Sequence, residues 1–152
     1  SSNITGYILL EKLLDFDIEC EMATFDSVVC IASIGNTKYD FIKLYKALKL
    51  IDSTLSKDSS NPNINYVTSA ELRFPTHAIS HSNFELIDIN NCLGKIAKDY
   101  ISIYPPNQPL CIPGQIIDDA FIRNFKIAKA NTLNILADYS DIINSKVAVL
   151  IE

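Results

Sequence analysis

The stretch IYPPNQPLCIPGQII, residues 103–117, holds four of the six prolines of the chain around an apolar centre at residues 110–112. Proline fixes φ at about −65° and holds the residue before it in an extended conformation. Residues 104–106, Tyr-Pro-Pro, are therefore predicted to form a stiff, extended corner. Residues 108–112 are predicted to form a short strand at a sheet edge, because prolines lie at both of its ends.

Pro113 and Gly114 follow this strand and are predicted to form a type II turn, with glycine where φ must be positive. We name residues 104–115 the proline elbow. Its two ends, Tyr104 and Gln115, carry side chains that can form hydrogen bonds. Two interpretations stay open. The elbow is either a rigid connector between two helices or a rigid wall beside a pocket or an interface.

Composition excludes several classes of protein. The chain has 152 residues, 48% of them hydrophobic, which is enough for a core. A net charge of −5 and a pI near 4.9 argue against a nucleic-acid partner. No run approaches the roughly 18 apolar residues of a membrane span, and no export signal is visible, so neither a membrane nor secretion is expected.

The cysteines and histidines predict no metal site. The four cysteines are widely spaced without a C-x-x-C pair, and we expect reduced core thiols in a cytoplasmic protein: Cys20, Cys30, Cys92 and Cys111. His77 and His81 are four residues apart, as in a two-histidine metal site. Their Pro-, Ser- and Asn-rich surroundings favour two partly exposed loop histidines instead.

Periodicity in the first part of the chain predicts a helix, a hairpin and a second helix. The first helix covers about residues 4–15, with Asn3 or Thr5 as its cap. IECEMAT and the apolar run SVVCIASIG are predicted to be two strands joined by a turn around Asp26. A second helix runs to Leu55. Its cap is Asn36 or Thr37, its inner face holds Phe41, Leu44, Tyr45, Leu48 and Ile51, and its lysines face solvent.

The second part of the chain predicts two more helices and a final strand. The helices are expected over about residues 88–100 and from Asp118 to about Ala130, and KVAVLIE is expected to close the chain as a strand. Residues 56–65 are predicted to be a mobile linker between a small α/β part, residues 1–65, and a second part, residues 66–152. The predicted fold is an α/β (α+β) sandwich with helices packed on a small mixed, largely antiparallel sheet.

No catalytic motif is present. The sequence contains no G-x-G-x-x-G, no Walker A and no G-x-S-x-G, and its four glycines are isolated. Glu19 and Glu21 lie on one strand face, where carboxylates usually face solvent. The residues by themselves therefore predict no catalytic, cofactor-binding or metal-binding residue in this chain.

A family resemblance is carried by ELIDINNCLGKIAKDYISIYPPNQPLCIPGQIIDD. It is similar to the C-terminal region of the bacterial-type ornithine/lysine/arginine decarboxylases, in which a Gly-(Arg/Lys)-(Ile/Val)-(Ser/Ala) core precedes Tyr-Pro-Pro-Gly-x-Pro and Pro-Gly-Glu. The matching residues keep their order and spacing: Gly94-Lys95-Ile96-Ala97, Tyr104-Pro105-Pro106, Pro109 and Pro113-Gly114. The stretch from Ile4 to Ile51 resembles the preceding part of the same family.

The resemblance implies a parent enzyme of the aminotransferase-like fold that uses pyridoxal phosphate to remove the α-carboxylate of a basic amino acid. In that family the cofactor-binding lysine follows Ser-x-His in a large domain that is absent here, since Ser80-His81 is followed by Ser82-Asn83. We therefore expect this chain to be inactive by itself and to need the missing catalytic domain within a homo-oligomer. Tyr104, Pro105, Pro106, Pro109, Pro113, Gly114 and Gln115 are the expected pocket-wall or interface residues.

Three departures from the family pattern accompany the match. Asn107 replaces the glycine after Pro-Pro, Gln115 replaces the acidic residue after Pro-Gly, and Thr76-His77 stand where arginine is often found. Gln115 keeps hydrogen-bonding capacity without the charge that would attract an ammonium or guanidinium group. Two other classes stay open: a stand-alone α/β ligand-binding module and a pure interaction module.

Overall fold

The computed structural model describes residues 4–55 and 70–151. The chain divides into two compact units, Ser1–Asn63 and Ile64–Glu152, which are treated separately below. The predicted mobile linker at residues 56–65 lies outside the described residues. The assignment of residues 1–65 and 66–152 to two parts of a decarboxylase stays a prediction.

The two predicted helices of the first unit are confirmed. Helix α1, Gly6–Leu14, begins after Thr5, whose hydroxyl accepts the Ile8 N–H at 3.3 Å. Helix α2, Lys38–Thr54, begins with a capping box between Thr37 and Asp40. The Thr37 backbone N–H, with its hydroxyl, lowers the pKa of the exposed Asp40 carboxyl. Local caps therefore fix the start of each helix.

The predicted hairpin is present but shorter than expected. Strand β1, Met22–Ala23, pairs antiparallel with strand β2, Val28–Val29. The continuous strand predicted up to Gly35 is wrong, because the chain leaves the ladder after Val29 and Ile31 and Ile34 are exposed. The Ser33 N–H donates to the Asn36 side chain at 2.7 Å, which forms a local turn instead. Apolar β-branched residues form a strand only where a partner covers them.

The core of the first unit is small. Leu13, Ala47 and Ile51 are buried, with partly buried neighbours from α1 and the hairpin around them. The predicted inner face of α2 is wrong for three of its five residues, since Phe41, Tyr45 and Leu48 are exposed. Its four predicted outward lysines are exposed as expected: Lys38, Lys43, Lys46 and Lys49.

The second unit is built on two antiparallel sheets. Strand β3, Phe84–Asp88, pairs with strand β7, Lys146–Leu150. The other sheet has the order β5-β4-β6, with β4 at Ile101–Ile103, β5 at Gln108–Cys111 and β6 at Ile135–Leu136. Every pairing among the described strands is antiparallel. The predicted α+β fold is therefore confirmed, with several small sheets in place of one.

The predicted helix from Asp118 is confirmed and covers the second sheet. Helix α3, Asp119–Ala130, is capped by the Asp118 carboxylate, which accepts the Phe121 N–H at 2.8 Å. It packs against β5 and buries Phe121 and Phe125, whose ring centroids lie 5.9 Å apart. The strands supply much of the remaining core, including Ile101, Ile103, Leu110, Val147 and Val149.

The helix predicted over residues 88–100 is wrong. Strand β3 ends at Asp88, a short 3₁₀ helix covers Ile89–Asn91, and the following backbone is irregular. Gly94 has a φ of +78°, outside the helical range. Ile96 and Ala97 form isolated bridges with Ile116 and Val149. The apolar spacing reflects burial, but the tertiary partners impose extended backbone.

No helix in the described segments is long and apolar enough to cross a bilayer.

Candidate functional site: the proline elbow

The first half of the proline elbow is a turn between β4 and β5. The predicted strand at residues 108–112 is confirmed as β5, which lies at an edge of its sheet. Residues 104–107 form a tight reversal in place of the extended corner predicted for 104–106. The Asn107 N–H donates to the Ile103 carbonyl at 3.0 Å, and the Ser102 hydroxyl contacts the Asn107 side chain at 2.6 Å. Asn107, which replaces the family glycine, has a φ of +76°.

The second half of the elbow is a turn that hydrogen bonds connect to the backbone of Ala97 and Arg73 and to the side chain of Thr76. Gly114 has a φ of +88°, as the predicted type II turn requires. Its N–H donates to the Ala97 carbonyl and its carbonyl accepts the Arg73 N–H, each at 2.8 Å. The Thr76 hydroxyl donates to the Pro113 carbonyl at 3.2 Å. This turn therefore joins residues 71–76 to the sheet.

Gln115 belongs to that turn and does not project as a free polar end. Its side chain is 5% exposed, and its Oε1 accepts the Ile112 N–H at 3.2 Å. Its Nε2 is buried and has no hydrogen-bond partner among the described residues. A buried donor without a partner lowers stability by about 1–3 kcal/mol. The position is thus a polar site in which half of the amide is satisfied.

The seven predicted site residues differ in their burial along the elbow. Ten residues separate Tyr104 from Gln115, and four of them form β5, which spans about 13 Å of extended chain. Tyr104, Pro106 and Pro109 are exposed, whereas Gly114 and Gln115 are buried. Pro105 and Pro113 are half-buried. The exposed residues can serve as a surface, and the buried ones keep that surface rigid.

Asp99 is a buried anchor that sequence reasoning missed. It is 1% exposed, and its carboxylate accepts backbone N–H groups from Asp138, Tyr139 and Ser140 at 3.1, 3.0 and 2.7 Å. These three donors orient the loop between β6 and β7. The adjacent pair of charges at 98 and 99 within an apolar stretch was the available signal.

Lys98 is a second missed anchor. It is 5% exposed, and its Nζ donates to the carbonyls of Ile79 and Ser80, each at 2.7 Å. The same ammonium lies 5.4 Å from the ring centroid of Tyr139. Lys98 therefore holds the 3₁₀ helix Thr76–Ile79 against the unit, next to the segment that contacts Pro113 and Gly114.

Described residues of the first unit line two open clefts. One, of about 310 Å³, has acidic, basic, apolar and thiol side chains in its lining, including Asp17, Cys30, Ile31, Phe41 and Lys43. The other, of about 410 Å³, is lined mainly by apolar residues of α1 and α2. Among the described residues no group of three His, Cys, Asp or Glu side chains could hold a metal ion, and His77 and His81 are both exposed.

Comparison with known proteins shows the class to which the chain is similar, the basic amino acid decarboxylases. It is 28% identical over 124 residues to an arginine decarboxylase of Bacillus subtilis, covering 78% of this chain and 25% of that protein. It is 31% identical over 132 residues to an arginine decarboxylase of Halalkalibacterium halodurans, covering 79% and 26%. The chain thus spans about a quarter of the length of these relatives, and the predicted resemblance is confirmed.

Solved structures agree on the fold. A Francisella novicida lysine decarboxylase, LdcF, matches with a TM-score of 0.70 at 12% identity, over 97% of this chain and 28% of that one. The constitutive lysine decarboxylase of E. coli matches with a TM-score of 0.66 at 14% identity, over the same shares. No protein-family model matches the chain. The two lysine decarboxylases therefore share the fold of this chain over about a quarter of their own length.

The substitution Gln115→Glu tests the site where the chain departs from the family. Burial with a single donor, the Ile112 N–H, would raise the pKa of the new carboxyl above its unfolded value of about 4.3. A raised folded pKa means that stability is retained below pH ~4.3 and is lost as pH rises toward the folded pKa. We expect Gln115→Glu to be less stable than the wild type by more at pH 7 than at pH 4.

Urea unfolding at the two pH values measures this difference, at about 1.4 kcal/mol for each unit by which the pKa rises. Gln108→Glu is the matched control, because Gln108 is half-buried at the other end of β5. Its deficit should change little with pH. An equal loss of unfolding free energy for Gln115→Glu at both pH values would contradict the expected rise in pKa. It would mean that the new carboxylate is hydrated or accepts further hydrogen bonds.

Proposed function

We propose that this chain is the C-terminal portion of a pyridoxal-phosphate-dependent decarboxylase that acts on ornithine, lysine or arginine. The observation that carries the proposal is the ordered match of Gly94-Lys95-Ile96-Ala97 with the proline elbow, in a chain related by sequence to arginine decarboxylases. In the proposed parent this portion contributes structure, an interface and one wall near the pocket.

The hydrogen bonds of the matched residues support this role. Ala97 accepts the Gly114 N–H, the Lys95 carbonyl accepts the Ile117 N–H, and Ile117 in turn accepts the Gly94 N–H, each at 2.8 Å. The two parts of the motif therefore bind each other directly. A motif whose members interlock in this way fixes the geometry of β5 and the adjoining turns, as a wall beside a reacting centre requires.

We assign no described residue of this chain to the binding of pyridoxal phosphate. The glycines are isolated, so no backbone loop is arranged to cradle a phosphate. The amines of Lys98 and Lys129 already donate to backbone carbonyls. When bound in the parent, the cofactor supplies an electron sink for the loss of CO₂, and we assign its lysine to the missing catalytic domain.

We assign the exposed elbow residues Tyr104, Pro106 and Pro109 to the contact with that catalytic domain or with a second subunit of a homo-oligomer. Proline carries no backbone N–H and loses little conformational entropy when it is covered. Tyr104 adds a large ring with a hydroxyl at its edge. Such a surface can bind a partner without first having to become ordered.

Comparing the full-length parent with the isolated chain tests the proposal. The parent, purified with its cofactor, should release CO₂ from at least one of arginine, lysine and ornithine, and the chain of residues 1–152 should release none. Robust release from the chain by itself would refute the assignment of catalysis to another domain. A cofactor-loaded parent that acts on none of the three amino acids would refute the substrate class.

A stand-alone ligand-binding or interaction module is the second candidate, and the 310 Å³ cleft of the first unit favours it. Its mixed lining combines the carboxylates of Asp17 and Glu19 and the ammonium of Lys43 with apolar side chains, a composition suited to a small polar ligand that carries both charges, such as an amino acid. Calorimetry of the isolated chain with lysine, arginine and ornithine separates the candidates. Heat of binding with saturation would support the module, and its absence would support the decarboxylase portion.

A further inference from the structure

Two cysteines of the first unit lie in direct contact. The Sγ atoms of Cys20 and Cys30 are 3.3 Å apart, and both are free thiols. A disulfide requires about 2.05 Å, so the two sulfur atoms need to approach by only about 1 Å. The expectation of reduced core thiols fails here in one respect, because Cys30 is exposed and Cys20 is half-buried, whereas Cys92 and Cys111 are buried.

We propose that Cys20 and Cys30 form a reversible dithiol/disulfide site that is oxidised by low-molecular-weight disulfides such as oxidised glutathione. The site lies at the open end of the β1–β2 hairpin, because Cys20 precedes β1 and Cys30 directly follows β2. It is therefore distinct from the proline elbow, and it does not depend on the decarboxylase assignment.

The exchange proceeds in two balanced steps. Cys30 loses its proton and its thiolate attacks one sulfur of oxidised glutathione, which breaks that S–S bond and releases one glutathione thiolate. Cys20 then loses its proton and attacks Sγ of Cys30 in the mixed disulfide, which releases the second glutathione thiolate. The two thiolates take up the two protons. Two protein thiols are oxidised, and one glutathione disulfide is reduced to two thiols.

The surroundings of the two thiols set this order of attack. Burial, followed by the hydrogen bond to Cys30 and its charge, raises the pKa of Cys20 to about 11. Cys20 is therefore a poor first nucleophile, and the exposed Cys30 reacts first. Once Cys30 is held in the mixed disulfide, its thiol no longer opposes ionisation of Cys20, so the second step becomes easier.

The bond would change the surface of the first unit. Cys30 lines the 310 Å³ cleft together with Ile31 and with Phe41 of α2. The chain after Val29 has left the strand ladder, so residues 30–34 are held by few backbone hydrogen bonds. A link to Cys20 would fix the start of this segment and with it one wall of the cleft.

Oxidised glutathione added to the full chain, followed by intact-mass measurement and peptide mapping, tests the site. We expect wild type to lose two thiols and two hydrogens, to retain no glutathione, to form no disulfide between two chains and to recover both thiols with dithiothreitol. Cys20→Ser should accumulate one stably bound glutathione on Cys30. Cys30→Ser should react at least about tenfold more slowly, because burial, the largest cause of the raised pKa of Cys20, remains in this variant and keeps the thiolate scarce at neutral pH.

Cys92→Ser is the matched control, since burial raises the pKa of Cys92 to about 11 and its removal should leave the oxidation unchanged. Three results would overturn the proposal: wild type that retains glutathione, disulfides that link two chains, or equal rates for Cys20→Ser and Cys30→Ser. The wild-type mapping needs no variant, so the proposal can still be refuted if a variant fails to fold.

Discussion

The substitution Gly114→Ala is expected to lower the free energy of unfolding of the second unit by about 4 kcal/mol. A φ of +88° disfavours any residue with a Cβ by about 1–2 kcal/mol. The added methyl group would also overlap the Phe74 carbonyl oxygen and lie 3.0 Å from its carbon. Backbone cannot move aside cheaply, and such overpacking adds about 1–3 kcal/mol. Urea unfolding followed by circular dichroism measures the loss.

Gly94→Ala separates the two contributions. Gly94 has a similar φ of +78°, but a Cβ there would meet no described atom within 4 Å. Only the backbone strain applies, so we expect a loss of about 1–2 kcal/mol. Equal losses for the two variants would show that the close approach of Phe74 to Gly114 does not limit stability.

Asp99→Ala is the second large effect. Removing the carboxylate leaves the N–H groups of residues 138–140 without their acceptor, and we expect a loss of about 3 kcal/mol or more. The damage should be local. Hydrogen exchange should accelerate first at residues 138–140 and then along β7, because the Ala148 N–H donates to the Ser140 hydroxyl at 2.9 Å.

Asp88→Ala is the control for Asp99. The Asp88 carboxylate accepts one backbone N–H, from Asn90 at 2.9 Å, and that bond lowers its pKa, but Asp88 is only half-buried. Water can replace the carboxylate as acceptor of the Asn90 N–H, so Asp88→Ala should lower the free energy of unfolding much less than Asp99→Ala. A loss as large as that of Asp99→Ala would contradict the role assigned to burial. Asp99→Asn should be intermediate, because an amide keeps one acceptor oxygen and loses the charge.

Local rules were sufficient wherever short-range interactions decide the structure. The sequence predicted the starts of α1, α2 and α3, because a side chain three residues away satisfies each first turn. It also predicted the turn at Pro113-Gly114 and the strand β5. In each case the deciding groups are neighbours in sequence.

The failures occur where distant partners decide. The apolar spacing of residues 88–100 fits a helix, yet bridges from Ile96 and Ala97 to Ile116 and Val149 keep the chain extended. The apolar residues 30–34 fit a strand, yet no described strand covers them beyond Val29. Spacing reports which residues prefer burial, but it does not say which surface buries them.

The sequence by itself determined the class of this protein, because proline and glycine restrict the backbone locally and thereby leave a motif that can be recognised without a structure. Only the tertiary structure decided what the motif residues do. It buried Gly114 and Gln115, left Tyr104 and Pro109 exposed, and brought the sulfur atoms of Cys20 and Cys30 to 3.3 Å. The physical reason is that burial and contact depend on packing between segments far apart in the chain, which no local pattern encodes.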